Sequence, residues 1–310
     1  MIGYYVKRIL SAILTLFIIA TLTFFMMRAI PGGPFTRERA LPDEIIAQLN
    51  AKYNLDDPVI VQYLNYMKGI ATFDLGPSFK ELGLTVNDLI RQGFPGSMKV
   101  GLVAVILILA LGIPIGIVSA LKQNTLIDHA AMLMATLGVT IPSFVVATLY
   151  IYLVSSRVSW IPITGLSNPL AYIGPAIALS GYSLSFVARL TRSSMLEVLR
   201  QDYIRTARAN GLSEFKVIGK HALKNALIPV VTYVGPMVAA ILTGSFVVER
   251  IFAINGIGRY FVESVSNRDY TVIVGMTVFY AALYIFMVML VDVAYSLIDP
   301  RIKLGRRTGD

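Results

Sequence analysis

Two glycine-containing patterns in the chain come close to motifs that bind nucleotides. Gly219-Lys220 has the ending of a phosphate-binding loop, but Glu214 stands where the first glycine is required and His221 where a hydroxyl residue is required. Gly256-Ile257-Gly258 begins like a dinucleotide-binding loop, but Phe261 replaces its third glycine. Neither pattern completes a phosphate cradle, so the sequence predicts no nucleotide cofactor bound by this chain.

Metal-binding and catalytic side chains are equally sparse. The chain has no cysteine and only two histidines, His129 and His221, which removes thiolate sites and makes a histidine metal cluster improbable on composition alone. No serine, lysine or carboxylate pattern supports a nucleophile with its base. The sequence therefore predicts a non-catalytic protein without a metal site.

The composition indicates a protein that lies in a membrane. Hydrophobic residues make up 56% of the 310 residues and the mean hydropathy is +0.70, whereas soluble domains are about half apolar. The apolar excess must face lipid, so membrane lipid is an expected partner. The net charge of +9 has a sufficient explanation in membrane topology, and no nucleic-acid partner is predicted.

Six stretches are long and apolar enough to cross the hydrocarbon core, which takes about 20 residues of helix. The stretches are Ile9–Ile30, Met98–Leu121, Ala130–Ser155, Leu170–Ala188, Ala226–Val248 and Tyr270–Ile298. The fourth is short and rich in serine, which leaves five spans as the alternative count. The predicted fold class is all-α, a polytopic membrane protein with six transmembrane helices.

The distribution of positive charge predicts the orientation. Fifteen lysines and arginines fall on the side of the membrane that holds the N-terminus. Two precede the first span, one lies in the second connection, eight lie in the fourth-to-fifth connection and four lie in the tail. The two short connections on the opposite side hold four. Because short loops rich in lysine and arginine stay in the cytoplasm, both termini are predicted to be cytoplasmic.

A carrier driven by protons or sodium is the rival class. Such carriers place ionisable residues deep in their spans, where burying a charge costs about 2.5 to 3.5 kcal/mol on insertion scales. Asp292 is the one carboxylate well inside a predicted span, and pairing with a basic neighbour near the cytoplasmic face explains it better than proton relay. The ion-coupled carrier stays the less favoured alternative.

The basic segment between the fourth and fifth spans has the pattern of two short helices. Asp202 is suited to cap the first helix, and Gly211 fits a left-handed residue that ends it. Ser213 is suited to cap the second. On the first helix Tyr203 and Ala207 share one side, which predicts a small, partly apolar knob with basic edges. A loop whose charges only set topology is the alternative.

This segment and several others resemble the membrane subunits of binding-protein-dependent ABC importers of oligopeptides and dipeptides. The spacing from Arg205-Thr206-Ala207 to Gly211 is that of the family's cytoplasmic loop, with arginine in place of the more common glutamate. The other matching stretches are Ala188–Met195, Phe246–Phe252, Asn267–Tyr270 and Asp299–Leu304. The resemblance covers nearly the whole chain.

The resemblance implies the type I ABC importer permease fold and an ATP-driven importer of oligopeptides. It implies as partners a homologous second permease, two ABC ATPases that use ATP and Mg, an extracytoplasmic substrate-binding protein and the peptide itself. The alternatives within the class are a dipeptide or nickel importer. It also implies that the loop docks an ATPase through nine residues, namely Asp202, Tyr203, Ile204, Arg205, Thr206, Ala207, Arg208, Ala209 and Gly211.

Four segments and a set of small residues complete the predicted organisation. The segments are 1–30 with the first span, an extracytoplasmic cap at 31–97, a five-helix core at 98–298 with the docking loop at 189–225, and a cytoplasmic tail at 299–310.

Pro142 should kink the third span and, with Ser143, is a candidate for the pathway or for helix packing. Gly235 with Ala239, and Ala240 with Gly244, repeat small residues at a spacing of four, which lets helices approach closely. Gly235, Ala239 and Gly244 are likewise candidates for the pathway or for helix packing.

The predicted orientation can be tested with single cysteines, since the chain has none of its own. A membrane-impermeant thiol reagent applied to intact cells should leave a cysteine at Ser213 unlabelled and should label one at Asp57. Permeabilising the membrane should make the cysteine at position 213 accessible to the reagent. Labelling at Ser213 on intact cells would overturn the orientation.

Overall fold

The computed structural model describes residues 2–30, 33–35 and 42–298. Two sequence features discussed above lie outside the described residues: the tail 299–310 and the side chain of Asp292.

The described chain is helical, and its β pairing is limited to an isolated bridge between Pro77 and Thr85. The helices of the first half are α1 Ile2–Arg28, α2 Asp43–Lys52, α3 Val59–Ala71, α4 Val86–Leu121, α5 Leu126–Thr140 and α6 Ser143–Tyr150, which continues as a π-helical turn to Ser155. Those of the second half are α7 Ile173–Leu199, α8 Asp202–Ala209, α9 Glu214–Lys216, α10 Leu223–Ala226, α11 Ile228–Leu242, α12 Phe246–Ile251, α13 Ile257–Asn267 and α14 Tyr270–Ile298. A 3-10 turn, Pro169–Tyr172, leads into α7, and a π-helical turn, Val217–Ala222, joins α9 to α10.

The six predicted spans correspond to four long apolar helices and two bent pairs, which make six spans if each pair crosses the membrane once. Within the described residues the long apolar helices are Val6–Arg28, Val86–Leu121, Pro169–Leu199 and Tyr270–Val291. The pairs are Leu126–Thr140 with Ser143–Ser155 and Glu214–Ala226 with Ile228–Leu242. The serine-rich fourth stretch belongs to an apolar helix of 31 residues, long enough to cross a membrane, so its shortness no longer favours five spans.

The third span breaks at Pro142, as its sequence predicts. α5 ends at Thr140, α6 begins at Ser143, and the two axes differ by 102°. A proline has no N–H to donate and disfavours helical backbone in the residue before it. Ile141 accordingly has an extended backbone, with ψ of 120°. Pro142 and Ser143 thus lie at the bend of a broken span.

The fourth and fifth spans depart from their predicted ends. The fourth runs past Ala188 to Leu199, because Thr191 and Met195 keep one face of the helix buried. The fifth does not reach Val248: α11 ends at Leu242 and Gly244 has a φ of +80°. A Cβ at Gly244 would also collide with the Glu249 carboxylate. The predicted bound of Ala226–Val248 is therefore wrong at its C-terminal end.

Contacts divide the chain into two compact units, and the first joins Met1–Pro95 to Asn255–Ile285. Its core packs α4 against α13 and α14 through Leu89, Ile257 and Met276. Asp269, just before α14, is 2% exposed. Its Oδ2 atom accepts from Ser78 Oγ at 2.5 Å and from the N–H groups of Phe79 and Lys80, each at 3.1 Å. One buried carboxylate therefore organises the turn before α4.

In the same unit α3 lies along the C-terminal half of α1. Phe24 contacts the rings of Tyr63 and Tyr66, with centroid separations of 5.5 and 5.7 Å. Thr21 Oγ1 and Tyr63 Oη are 2.8 Å apart. The opposite face of α3 is apolar and uncovered, with Leu64 60% exposed. An amphipathic helix of this kind favours a membrane interface.

The second unit joins Gly96–Ile254 to Phe286–Asp310, and small residues set its helix packing. A Cβ added at Gly116 in α4 would lie 2.6 Å from Thr191 Cβ in α7. One added at Gly235 in α11 would lie 2.5 Å from Val291 Cγ2 in α14. Ala239, one turn further, is 1% exposed. The geometry explains the repeated small residues by close packing of helices.

A buried ion pair ties together the ends of three helices of this unit. Asp128 in α5, 1% exposed, accepts from Arg192 Nε and Nη2 in α7, both at 2.7 Å. It also accepts from Ser119 Oγ in α4 and from the N–H of Asn124 at 2.9 Å. Every lone pair of the carboxylate thus faces a donor, which is what makes burial of such a pair tolerable.

The ion pair generates a prediction with an internal control. Asp128→Ala should strand the guanidinium of Arg192 and lower the free energy of unfolding by about 3–5 kcal/mol, whereas replacing the pair together, by Asp128→Leu with Arg192→Met, should recover most of that loss. Thermal unfolding of the purified protein in detergent measures both variants. If the double variant is as unstable as Asp128→Ala, the cost does not come from an unpaired charge.

Candidate functional site

The connection between α7 and α11 folds as two short helices joined at a glycine. α8 spans Asp202–Ala209 and ends where Gly211 takes a φ of +73°. The N–H of Gly211 donates to the carbonyl of Arg208 at 2.9 Å. The predicted left-handed stop at Gly211 is confirmed, and glycine takes this backbone without a Cβ penalty.

The predicted caps differ in detail. Gln201, with an extended backbone, occupies the N-cap position of α8 in place of Asp202, and its side chain makes no capping hydrogen bond. Asp202 is the first helical residue. Asp202 instead supplies negative charge to the first turn, where it favours the positive end of the helix dipole. Ser213 does precede α9, though its side chain makes no capping hydrogen bond.

The inner face of α8 belongs to the core of this chain. Ile204 is 0% and Ala207 6% exposed. They pack with Ala120 at the end of α4, with Met195 in α7 and with three residues of the following helices, Val217, Ala222 and Ala226. The expectation that Ala207 belongs to an outward knob is therefore wrong: the residue is small because the chain's own helices close over it.

The outer face of α8 is solvent-accessible. Five of the residues predicted to dock lie on this face or its edges: Asp202, Arg205, Thr206, Arg208 and Ala209 are all exposed. Tyr203, 42% exposed, receives a hydrogen bond on its Oη from Asn225 Nδ2 at 2.8 Å. The hydrogen bond fixes the ring at the edge of this face.

Phe215, at the start of the second short helix, is a surface residue that the sequence reasoning missed. Its side chain is 87% exposed, beside Leu212 at 36%. Phe215 and Leu212 are exposed apolar residues three positions apart, and a group of exposed apolar side chains is suited to a contact surface. The available signal was a single aromatic residue between Ser213 and Lys216 in an otherwise polar run.

An exposed ion pair joins the two short helices. Arg208 donates from Nε to Glu214 Oε1 at 2.8 Å and from Nη2 to Oε2 at 3.2 Å. The hydrogen bond that Arg208 donates to the Glu214 carboxylate raises the pKa of Arg208 above its ordinary value. A bidentate pair of this geometry restricts rotation more than a single contact does. Arg205 and Asp202, by contrast, are exposed and 3.4 Å apart, a weak surface pair.

The buried pair Asp128–Arg192 lies in the helices from which this loop emerges. Arg192 is seven residues before the end of α7, and Ser119 is two before the end of α4. The sequence reasoning counted Arg192 only as a topological charge. An aspartate opening an apolar helix, with an arginine in the next span, was the signal that could have paired them.

The chain belongs to the family of binding-protein-dependent transport system inner membrane components. Residues 112–304 match that family, and residues 1–95 match the N-terminal region described for the same membrane components. With its four long apolar helices and two bent pairs, it is a multi-pass membrane component of a transport system.

Two relatives match over almost their whole length. The dipeptide transport system permease protein DppB of Bacillus subtilis (strain 168) is 50% identical over 99% of this chain and 100% of its own. The oligopeptide transport system permease protein OppB of Salmonella typhimurium (strain LT2) is 47% identical over 98% of this chain and 100% of its own.

A solved structure shares the fold. An inward-facing structure of the MetNI methionine ABC transporter superposes with a TM-score of 0.52 at 19% identity, covering 70% of this chain and 97% of that chain. The sequence prediction of a type I ABC importer permease fold is thereby confirmed.

Proposed function

We propose that this chain is the transmembrane pathway subunit of an ATP-driven importer of peptides. The relatives named for dipeptide and for oligopeptide transport match at 50% and 47% identity. Peptide is the substrate class common to both names. Neither a nickel importer nor an ion-coupled carrier has comparable support.

The partners follow from the same assignment. A second permease completes the pathway, two ABC ATPases bind ATP and Mg, and an extracytoplasmic binding protein delivers the peptide. In this arrangement the segment 31–97 faces outward, and both termini and the loop 189–225 face the cytoplasm. The chain itself carries no catalytic role.

The observation that supports coupling through this loop is the two-sided environment of α8. Its outer face carries the exposed side chains of Arg205 and Arg208. Tyr203 at the edge and Phe215 in the next short helix add exposed aromatic surface. Its inner face, through Ile204 and Ala207, is packed against α4 and α7. An ATPase that grips the outer face therefore displaces packed helices, since closely packed side chains transmit rather than absorb a displacement.

Phe215 provides the sharpest test of docking. Phe215→Ala removes a side chain that this chain does not bury, so the free energy of unfolding should hardly change, while retention of the ATPases during copurification should fall about tenfold, as for a side chain worth about 1.4 kcal/mol.

A matched control exists in Phe73, which is 86% exposed and lies in the other compact unit. Phe73→Ala should leave ATPase retention unchanged. Equal retention in both variants would remove Phe215 from the docking surface.

The transport function can be tested in proteoliposomes that contain the complete complex. Uptake of a labelled tripeptide should require ATP and the binding protein, should persist when proton and sodium gradients are collapsed, and should not be competed by excess nickel. The isolated subunit should bind no ATP. Uptake driven by an ion gradient without ATP would contradict the proposal.

A further inference from the structure

A cavity of about 310 Å³ lies beside the C-terminal end of the first span, within the unit formed by 1–95 and 255–285. Helices α1, α2 and α3, the segment 74–79 and the first turn of α14 form its walls. Its size is at the lower end of the range of about 300 to 1,000 Å³ that is usual for small-molecule sites. The transport role proposed above does not use it.

The charge of the wall is positive. Arg28 and Lys52 line the cavity with a single described carboxylate, Asp74. Arg28 lies over the ring of Phe24, with its Cζ 5.6 Å from the centroid, and Lys52 Nζ lies 5.4 Å from the centroid of Tyr53. Among residues 2–30, 33–35 and 42–298 no carboxylate pairs with Arg28, while Asp74 Oδ1 accepts from the N–H of Gly76. The site therefore suits an anion.

Two polar groups in the wall have unmet hydrogen-bonding capacity. Gln62 Oε1 and Tyr66 Oη are shielded from water and have no partner in the described structure. Gln62 Nε2 donates to the carbonyls of Leu55 and Asp57, at 3.0 and 2.7 Å, which fixes the orientation of the amide. Burial raises the pKa of Tyr66, so its hydroxyl stays protonated. A ligand that both accepts and donates hydrogen bonds relieves the cost of these groups.

The position of the cavity indicates the source of such a ligand. Because α1 crosses the membrane and ends at Arg28, the cavity lies at the level of the lipid headgroups. Leu22 and Met26 of α1 are 57% and 65% exposed, and Ile60 and Leu64 of α3 are 58% and 60% exposed. These apolar surfaces continue from the helices that wall the cavity and are suited to contact acyl chains.

We propose that the cavity binds the phosphodiester headgroup of an anionic glycerophospholipid, with phosphatidylglycerol as the best match. Arg28 and Lys52 hold the phosphate, the Tyr66 hydroxyl donates to a headgroup oxygen, and a glycerol hydroxyl donates to Gln62 Oε1. The acyl chains lie along α1 and α3. Soluble glycerol phosphate has the same polar chemistry but lacks the chains.

Lipid retention by the complete complex tests the site. Native mass spectrometry of the complex released from nanodiscs with equal phosphatidylglycerol and phosphatidylcholine should show preferential retention of phosphatidylglycerol. Arg28→Gln should lower that retention about tenfold, the factor for losing one charge-assisted contact. Arg157→Gln removes an exposed arginine that lies over the ring of Tyr152 outside the cavity, and it should leave retention unchanged.

Tyr66→Phe is the milder second variant, since it keeps the ring against Phe24 and removes only the hydroxyl. It should weaken retention severalfold without loss of thermal stability. Equal retention of the two lipids, or unchanged retention in both Arg28→Gln and Tyr66→Phe, overturns the proposal. Displacement of bound phosphatidylglycerol by millimolar glycerol 3-phosphate would assign the cavity to a soluble phosphate and would overturn the lipid assignment as well.

Discussion

The absence of water from the bilayer core is the constraint on which the whole structure depends. A backbone group without a hydrogen bond costs several kcal/mol there, so the chain must cross as helix and can leave helical geometry only where other groups satisfy its backbone. At the break beside Pro142 the carbonyls on both sides remain in use: Ile141 donates to Leu137 and Val145 to Pro142. The third span can therefore bend by 102° without stranding these groups.

The same constraint explains how the loop between the fourth and fifth spans is built. The polar ends of α4 and α7 are locked through Asp128 and Arg192, and directly beyond them the small apolar cluster around Met195 and Ile204 continues the packing. The span ends and α8 thus form one packed body. A flexible polar linker in this place could not carry displacement between a partner and the membrane.

Much of this fold could be predicted from the sequence, because its strongest signals are local. Apolar runs of span length, the proline at 142 and the glycine at 211 each act within a few residues. What could not be predicted depends on which residues meet in space. Ala207 is inward because Ala222 and Ala226 return to cover it, and Asp128 pairs with a residue 64 positions away. Phe215 lies in a helix of only three residues, Glu214–Lys216, which is too short for periodicity to predict its exposure.

The carboxylate of Asp269 has a consequence for how the chain is assembled. Ser78 and the two N–H groups that follow it find their acceptor 191, 190 and 189 positions further along. Four spans separate the two partners. During synthesis the hydrogen bonds of the turn at 78–80 to Asp269 must therefore wait until the start of the last span has emerged, and only its local hydrogen bonds, such as that from the N–H of Ser78 to the carbonyl of Leu84, can form before then. Completion of this turn is a late event in biogenesis, and a chain truncated before residue 269 cannot form it. Protection of the turn from proteolysis would thus report that membrane insertion has reached the final span.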